Sequence, residues 1–320
     1  MAISEMHPIH RFESWQVWPG SYDNKFIPGQ YPHKKSSGLF IDKTTPVASM
    51  GSCFAREIRK VLIRQGYDYI QEETDHPASV HASAAWERTY NTFSMRQIFE
   101  YTFESFRPKT RWWISPKTKQ VQDPYRRIIL YDSIDEAQKD FKSHIECSQR
   151  AIKRAKVLIL TLGLTEIWKD KSDGSVICLP SGPYFNEGGS LDDYEFKVSR
   201  YSENLDNLEK IYKIVKNNNK DCKLIITISP VHLWATFRED MDVISANCNS
   251  KSTLRAVADE FVCRHNDVFY FPSYEIATSF TMMMNKTCFE KGKENFHINK
   301  ETVELIMKHF LKAYSKGVKF

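Results

Sequence analysis

Several features that would place the chain in a special class are missing from its sequence. No apolar run is long enough to cross a bilayer, so we expect no membrane insertion. No two cysteines form a CxxC pair, so no structural zinc site is indicated and we expect no metal. The net charge of +5 is spread along the chain rather than gathered in a basic block, so we expect no nucleic-acid partner.

The amino terminus lacks a positively charged segment followed by an apolar core, which a secretory signal would need. We therefore expect a cytoplasmic protein. Its cysteines are odd in number and irregularly spaced, which is typical of reduced thiols rather than a disulfide scaffold. They are the seven at positions 53, 147, 178, 222, 248, 263 and 288.

Continuous apolar runs alternate with helical patterns along most of the chain. Such alternation predicts an α/β fold with a mostly parallel sheet and helices on both faces, a three-layer α/β/α arrangement. The predicted strands are 46–50, 67–70, 156–164, 223–231 and 268–272. The predicted helices are 54–63, 86–106, 135–153, 198–217, 250–264 and 302–314.

Two segments do not fit this alternation. Residues 1–40 are rich in aromatics, proline and glycine, and we expect an irregular arm on residues 41–320, which would form a single domain. Residues 72–135 are too many for an ordinary loop between strand and helix. They predict an inserted, lid-like region that contains a hairpin between 111 and 121.

The most informative stretch follows the first predicted strand. Gly51 tolerates the backbone angles of a sharp turn, and Ser52 then stands between strand and helix, at the carboxyl end of the strand. Ser52 is either a helix cap or a nucleophile. Cys53 is the competing nucleophile, because thiols at helix amino termini are often reactive. We favour Ser52, since the residue after such a turn usually points into the core.

The segment Gly51-Ser52-Cys53-Phe54-Ala55 resembles the signature of the GSCFA-domain family. That family is similar to the SGNH (GDSL-like) hydrolases, whose fold is flavodoxin-like. The resemblance implies a serine nucleophile near the amino terminus, a Gly-x-Asn-Asp-like turn that supplies an oxyanion donor, and an Asp-x-x-His near the carboxyl terminus that supplies the base.

Carried onto this chain, the resemblance implies that Ser52 attacks the substrate and that His297 takes its proton. Glu294 stands three residues before His297, where the superfamily has aspartate, and would orient the imidazole. His232 is the rival base, since it follows a Ser-Pro-Val segment that resembles a family motif.

The same resemblance implies an oxyanion hole. Its donors would be the backbone N–H of Ser52, the Gly163 turn with the Thr165 hydroxyl in place of the usual amide, and the Asn91 side chain. A further segment, 246–255, also resembles the family.

Substrate-binding roles are expected for four polar residues near the carboxyl ends of strands or in segment 246–255, namely Glu166, His232, Asn247 and Lys251. Ser250 would cap the helix that follows. A plain capped helix start is the competing interpretation of this segment.

The resemblance implies acyl transfer by a serine esterase or an O-acetyltransferase. Aromatic side chains suit stacking on sugar rings, so we expect a carbohydrate substrate such as a cell-surface polysaccharide or its precursor; the tryptophans concerned are Trp86, Trp112, Trp113, Trp168 and Trp234. No cofactor is expected, except acetyl-CoA as the donor if the protein is a transferase. A catalytically inactive domain that binds glycans or partner proteins is the alternative, and the oligomeric state stays open.

Overall fold

The structure is a computed structural model that describes residues 11–21, 24–33, 38–104, 106–109, 111–292 and 295–316. Contacts divide the chain into two compact units. The larger unit spans Lys43–Tyr274, and the second combines residues 1–42 with residues 275–320.

Strands and helices alternate through the larger unit. In chain order its strands are β1 (Val47–Gly51), β2 (Trp113–Ile114), β3 (Val121–Gln122), β4 (Leu130–Tyr131), β5 (Val157–Leu162), β6 (Glu166–Asp170), β7 (Val176–Ile177), β8 (Tyr194–Val198), β9 (Lys223–Ile228) and β10 (Val268–Phe271). Its helices are α1 (Cys53–Arg64), α2 (Thr92–Phe103), α3 (Ile134–Arg154), α4 (Pro183–Asn186), α5 (Tyr201–Asn218) and α6 (Val243–Arg264).

The central sheet has the strand order β1-β5-β9-β10, and every pair in it is parallel. The prediction of an α/β fold with a mostly parallel sheet is therefore confirmed. Its two inner strands are continuous apolar runs that are buried almost throughout, as strands covered on both faces must be. The predicted strand at Tyr67–Ile70 is reduced to one parallel bridge, between Tyr69 and Val47.

One continuous core covers a face of this sheet. The side chains of Leu158, Leu160 and Leu162 point to it, because alternate residues of a strand share a face. Buried residues of α2, α3, α5 and α6 complete the same core. Helix α2 belongs to the predicted insert, so part of that insert is a structural layer of the domain.

Two small antiparallel sheets flank this framework. The order β2-β3-β4 confirms the predicted hairpin and adds a third strand. The order β7-β6-β8 has no counterpart in the sequence predictions.

The two largest errors in the predicted helix starts concern α6 and α2. Helix α6 begins at Val243, because the Asp242 carboxylate accepts hydrogen bonds from the Ile244 and Ser245 N–H groups at 3.0 Å. Ser250 therefore lies inside the helix and is not its cap. Helix α2 begins at Thr92 rather than at 86, capped by Asn91.

The second unit joins the described part of the arm to the carboxyl-terminal helices. The imidazoles of His33 and His309 lie 3.0 Å apart at their nearest nitrogens, and the Tyr31 ring packs against both at steep angles. Burial lowers the pKa of His309 to about 4. Between α7 (Ser273–Glu275) and α8 (Thr281–Met283) lies a π-helical turn, and α9 (Lys300–Tyr314) follows.

None of the helices in the described ranges combines the length and apolarity that a bilayer-spanning segment needs.

Candidate active site

The turn after β1 has a geometry that only glycine accommodates. Gly51 has φ of 140°, and a Cβ atom there would lie 2.3 Å from both the backbone oxygen and the hydroxyl of Thr161. Ser52 then caps α1, with its Oγ accepting the Phe54 N–H at 3.3 Å. The Ser52 N–H donates to the Thr161 hydroxyl at 2.8 Å, and the Ser52 residue is 2% exposed.

Cys53, the first residue of α1, is half-buried rather than fully buried. Its Sγ lies 3.5 Å from the Tyr90 hydroxyl. Burial disfavours the charged form of the neighbouring Arg88, yet Tyr90, Cys53 and Glu87 together raise the pKa of this guanidinium. The thiol therefore lies in a polar, cationic setting.

Segment 89–91 lies against both of the turns that begin at this edge of the sheet. The Thr89 N–H donates to the Gly51 carbonyl at 2.8 Å, and the Gly163 N–H donates to the Tyr90 carbonyl at 3.0 Å. A Cβ atom at Gly163 would lie 2.9 Å from the Tyr90 oxygen and 3.5 Å from the Ser52 Cβ. The turns after β1 and β5 are thus packed together, where reactive groups of such sheets gather.

Asn91 retains an amide donor in this packed region. Its Oδ1 accepts the Ser94 N–H at 2.8 Å and so caps α2. Its Nδ2 is buried and has no hydrogen-bond partner in the part of the chain that the structure describes. Buried donors are rarely left unpaired, so this amide is the best placed of the predicted donors to donate a hydrogen bond to a ligand oxygen.

The other predicted oxyanion donors make internal hydrogen bonds. The Thr165 hydroxyl is fully buried and lies 2.8 Å from the Ser250 hydroxyl. The Ser52 N–H is directed to Thr161, and the Gly163 N–H to Tyr90. Their oxyanion role stays a prediction, and in this structure each of them stabilises the turns.

Lys251 lies in the middle of α6, with its Nζ donating to the carbonyls of Gly163 at 2.9 Å and Val231 at 2.8 Å. The Lys251 side chain is almost fully buried, and burial lowers its pKa to about 7, an effect that Cys53 opposes. Lys251 therefore joins the turn after β5 to the loop after β9.

Glu166 and Asn247 hold the same loop, which spans residues 231–237. The Asn247 Oδ1 accepts the Leu233 N–H at 3.0 Å. The Glu166 carboxylate accepts the Thr236 hydroxyl and, at 3.2 Å, the Phe237 N–H. The structure thus gives both residues a role in positioning the loop, and their contact with substrate stays a prediction.

The loop at residues 231–237 carries two of the side chains predicted to contact substrate. Burial and the charge of Lys251 lower the pKa of His232 to about 4. Trp234 is 78% exposed. The other four tryptophans expected to stack on sugars are less available. Trp86 and Trp113 are buried. Trp112 packs against Tyr131 and Phe141, and Trp168 packs against Phe237.

His297 lies in the second unit, on a loop fixed just before α9. Phe289 and Ile298 form an antiparallel bridge, and the Glu290 N–H donates to the His297 carbonyl at 2.9 Å. Asn299 caps α9 and also donates its amide to the Thr287 carbonyl at 2.9 Å. The role of His297 as the base stays a prediction, and Glu294 lies outside the described residues.

Sequence reasoning missed a buried ionic cluster behind Tyr90. The Arg127 guanidinium donates to the Tyr90 hydroxyl and to the Glu87 carboxylate, both at 3.2 Å, and also to the Ser181 hydroxyl at 2.8 Å. The signal in the sequence was the adjacent Glu87 and Arg88, directly after a run of small and apolar residues. The cluster fixes the phenol beside Cys53.

Across the described ranges, no group of three or more His, Cys, Asp or Glu side chains is arranged to hold a metal ion.

Comparison with curated proteins gives no match. Comparison with solved structures gives distant similarities. The salicylyl-acyltransferase SsfX3 from a tetracycline biosynthetic pathway is 12% identical with a TM-score of 0.28, over 52% of this chain and 39% of that one. A carbohydrate esterase family 2 enzyme with a carbohydrate binding domain, from Corynascus thermopiles (Myceliophthora fergusii), is 11% identical with a TM-score of 0.37, over 91% and 70%.

A gut microbial diltiazem-metabolizing enzyme is 12% identical with a TM-score of 0.36, over 88% of this chain and 49% of that one. The chain thus spans about two fifths of the acyltransferase and about half of this enzyme. The GSCFA family model matches residues 46–310, which is well over half of the chain. The chain therefore belongs to the GSCFA family.

Proposed function

We propose that the protein transfers acyl groups from esters, through an acyl-enzyme formed at the turn after β1. The observation that supports this proposal is the packing of Gly51, Tyr90 and Gly163, which brings the turns after β1 and β5 together with the unpaired Asn91 amide nearby. A nucleophile, an amide donor and two glycine turns at one edge of a parallel sheet are parts that acyl transfer needs in addition to a base.

In the mechanism that the sequence predicts, Ser52 attacks the ester carbonyl and His297 takes the hydroxyl proton. Negative charge then develops on the carbonyl oxygen, and the Asn91 Nδ2 would donate to it. The imidazolium returns its proton to the leaving alcohol. Water or a sugar hydroxyl releases the acyl group in the second half of the reaction, as in an SGNH-type hydrolase or O-acetyltransferase.

We propose an acylated carbohydrate, such as a cell-surface polysaccharide or its precursor, as the substrate. The support is Trp234, whose indole is 78% exposed on a loop that Lys251 and Asn247 hold in place. An exposed indole offers an apolar face on which a pyranose ring can stack.

The test measures acetate release from p-nitrophenyl acetate and from acetylated oligosaccharides, with and without acetyl-CoA and a free sugar. An esterase releases acetate into water, whereas an O-acetyltransferase acetylates the sugar in a donor-dependent manner. The informative variant is Trp234→Ala, which should raise KM for the acetylated oligosaccharide about tenfold, in line with ~1–1.5 kcal/mol for one aromatic contact. The kcat/KM of Trp234→Ala for p-nitrophenyl acetate should change less than threefold, because a surface substitution away from the reacting atoms usually alters free energies by only about 0.5 kcal/mol.

The absence of acyl transfer to either acceptor, with sugar binding retained, would instead favour the inactive glycan-binding alternative. The observation that supports this alternative is the hydrogen bond between the Thr165 and Ser250 hydroxyls, which occupies a predicted oxyanion donor.

A further inference from the structure

The adjacent residues Ser52 and Cys53 lie in different surroundings. The Ser52 hydroxyl caps α1 through the Phe54 N–H and lies 3.3 Å from the Thr161 hydroxyl. The Ser52 residue is 2% exposed, and its N–H is also directed to Thr161. Every described contact of this hydroxyl therefore serves the start of the helix and its packing on β5.

Cys53 is the more accessible of the two. Its residue is half-buried, and its Sγ lies 3.5 Å from the Tyr90 hydroxyl. The Arg127 guanidinium holds that phenol in place at 3.2 Å, and Arg88 lies close enough to interact electrostatically with the thiol. Because the thiolate is the nucleophilic form of cysteine, cations beside the sulfur favour its reaction.

A second observation concerns the segment that contacts both turns. Asn91 directly follows Tyr90 in the sequence, and its buried Nδ2 has no hydrogen-bond partner among the described residues. The residue is 1% exposed, so bulk water does not satisfy this donor. An oxygen that develops negative charge during an attack by the Cys53 thiol would supply the missing acceptor.

We propose that Cys53, and not Ser52, is the residue that carries the acyl group. This inference rests on the proposed acyl-transfer function and names its nucleophile. Ser52 is then a structural residue that begins α1 and positions Cys53 at its amino terminus.

The chemistry balances without a further reagent. The Cys53 sulfur attacks the ester carbonyl carbon, its proton passes to the base, for which the sequence predicts His297, and a C–S bond forms. The C–O bond to the alcohol breaks, and the base protonates the departing alkoxide. Water or a sugar hydroxyl next attacks the thioester and gives a proton to the base. The C–S bond then breaks, and the thiolate regains the proton.

The experiment traps the acyl-enzyme on the full-length protein. The wild type is mixed with p-nitrophenyl acetate, quenched in acid within a turnover and digested, and the acetylated residue is located by fragment mass spectrometry. Part of the digest is treated with hydroxylamine at neutral pH, which cleaves thioesters much faster than oxygen esters. Ser52→Ala, Cys53→Ser and Cys53→Ala are assayed in parallel, with unfolding curves to confirm that each variant is folded.

The expected result is acetyl on Cys53 that hydroxylamine removes, and still on Cys53 in the Ser52→Ala variant. Cys53→Ala should lose at least a hundredfold in kcat/KM. Acetyl on Ser52, stable to neutral hydroxylamine, with activity retained in Cys53→Ala, would overturn the inference and leave the proposed function in place. Absence of acetyl from both residues, with hydrolysis unchanged in all three variants, would overturn both.

Exposed thiols also react with activated esters, so the chain needs an internal control. Cys248 lies exposed on α6. Cys248→Ser should leave the rate of p-nitrophenol release within twofold of the wild type. If instead the rate falls in Cys248→Ser and not in Cys53→Ala, the released product comes from incidental thiol chemistry, and the inference fails.

Discussion

The Nζ of Lys251 lies 2.9 Å from the carbonyl oxygen of Gly163, the residue that packs directly against Ser52. A lysine in the middle of α6 thus holds the turn after β5 from inside the protein. The same amine holds the loop after β9 through the Val231 carbonyl. A buried amine shared between two loops couples its protonation to the stability of the fold.

Lys251→Met should therefore change how stability depends on pH. Burial lowers the pKa of the folded lysine to about 7, whereas an unfolded lysine titrates near about 10.4. Between these values the unfolded chain binds more protons, so the free energy of unfolding rises with pH in the wild type, by up to about 1.4 kcal/mol per pH unit. Urea unfolding at pH 7.5 and pH 9.5, chosen as about the middle of that range, measures the free energy of unfolding of the wild type and of Lys251→Met.

The wild type should gain stability relative to Lys251→Met as the pH rises between those two values. A difference between the two proteins that stays constant would show that this amine does not lose its proton on folding.

Gly51→Ala should destabilise the protein by several kcal/mol. The added Cβ would lie 2.3 Å from a backbone oxygen of β5, which cannot move without distorting the sheet, and φ of 140° is strained for alanine. Gly66→Ala is the matched control, because Gly66 has φ of 71° but open space around it. That variant should cost only about 1 kcal/mol. Thermal unfolding compares the stability of the two variants. Equal losses of stability would contradict the packing described for the turn after β1.

Ser52→Ala should lose about 1 kcal/mol of stability, the usual value of a helix cap. Ser133→Ala is a matched variant, since Ser133 caps α3 by accepting the Glu136 N–H at 3.1 Å, on the surface. The melting temperature should fall by about 2–4 °C in each. An unchanged melting temperature in Ser52→Ala would show that the hydroxyl does not stabilise the start of α1.

Asn91→Asp should distinguish the capping role of the Asn91 Oδ1 from the donor role of its Nδ2. A carboxylate still accepts the Ser94 N–H and caps α2, but the Nδ2 donor is lost. We expect folding to be retained while kcat/KM for p-nitrophenyl acetate falls by about 10²–10³, the range for one oxyanion donor. Asn299→Asp at the cap of α9 should cost stability instead, because the Asn299 amide donates to the carbonyls of Thr287 and Phe289. Activity in Asn91→Asp within a few-fold of the wild type would remove Asn91 from the oxyanion site.

His297→Ala should abolish acyl transfer, while His232→Ala should have a smaller effect. Burial and Lys251 lower the pKa of His232 to about 4, so an essential His232 would give kcat/KM an acid limb near pH 4. The pH profile of kcat/KM together with the two variants distinguishes the bases. Full loss in His232→Ala, with an acid limb near pH 4, would make His232 the base instead.

The sequence predicts most of the framework because its inner strands are long apolar runs. The runs at 156–164 and 223–231 contain β5 and β9, and the turn glycine is recognisable from the residues around it. Strand β6 was missed, because Glu166 and the charged residues that follow it look like a loop. Its partners, β7 and β8, lie further along the chain, and no local sequence pattern predicts that they pair with it.

The candidate site shows the same limit. Family resemblance and turn chemistry point to the Gly51–Cys53 segment, but the relative exposure of Ser52 and Cys53 depends on tertiary contacts with Thr161 and Tyr90. The position of Lys251 likewise depends on where α6 begins. Asp242 and Ser250 are both acceptable caps by residue type, and only packing selects the first.

The most direct test of the central claim is the pre-steady-state burst of p-nitrophenol from p-nitrophenyl acetate. The wild type should release one p-nitrophenol per chain before the slower steady state, because the acyl-enzyme forms faster than it is hydrolysed. The double variant Ser52→Ala/Cys53→Ala should be folded and show no burst. A burst of equal amplitude in that double variant would contradict acyl transfer at the turn after β1.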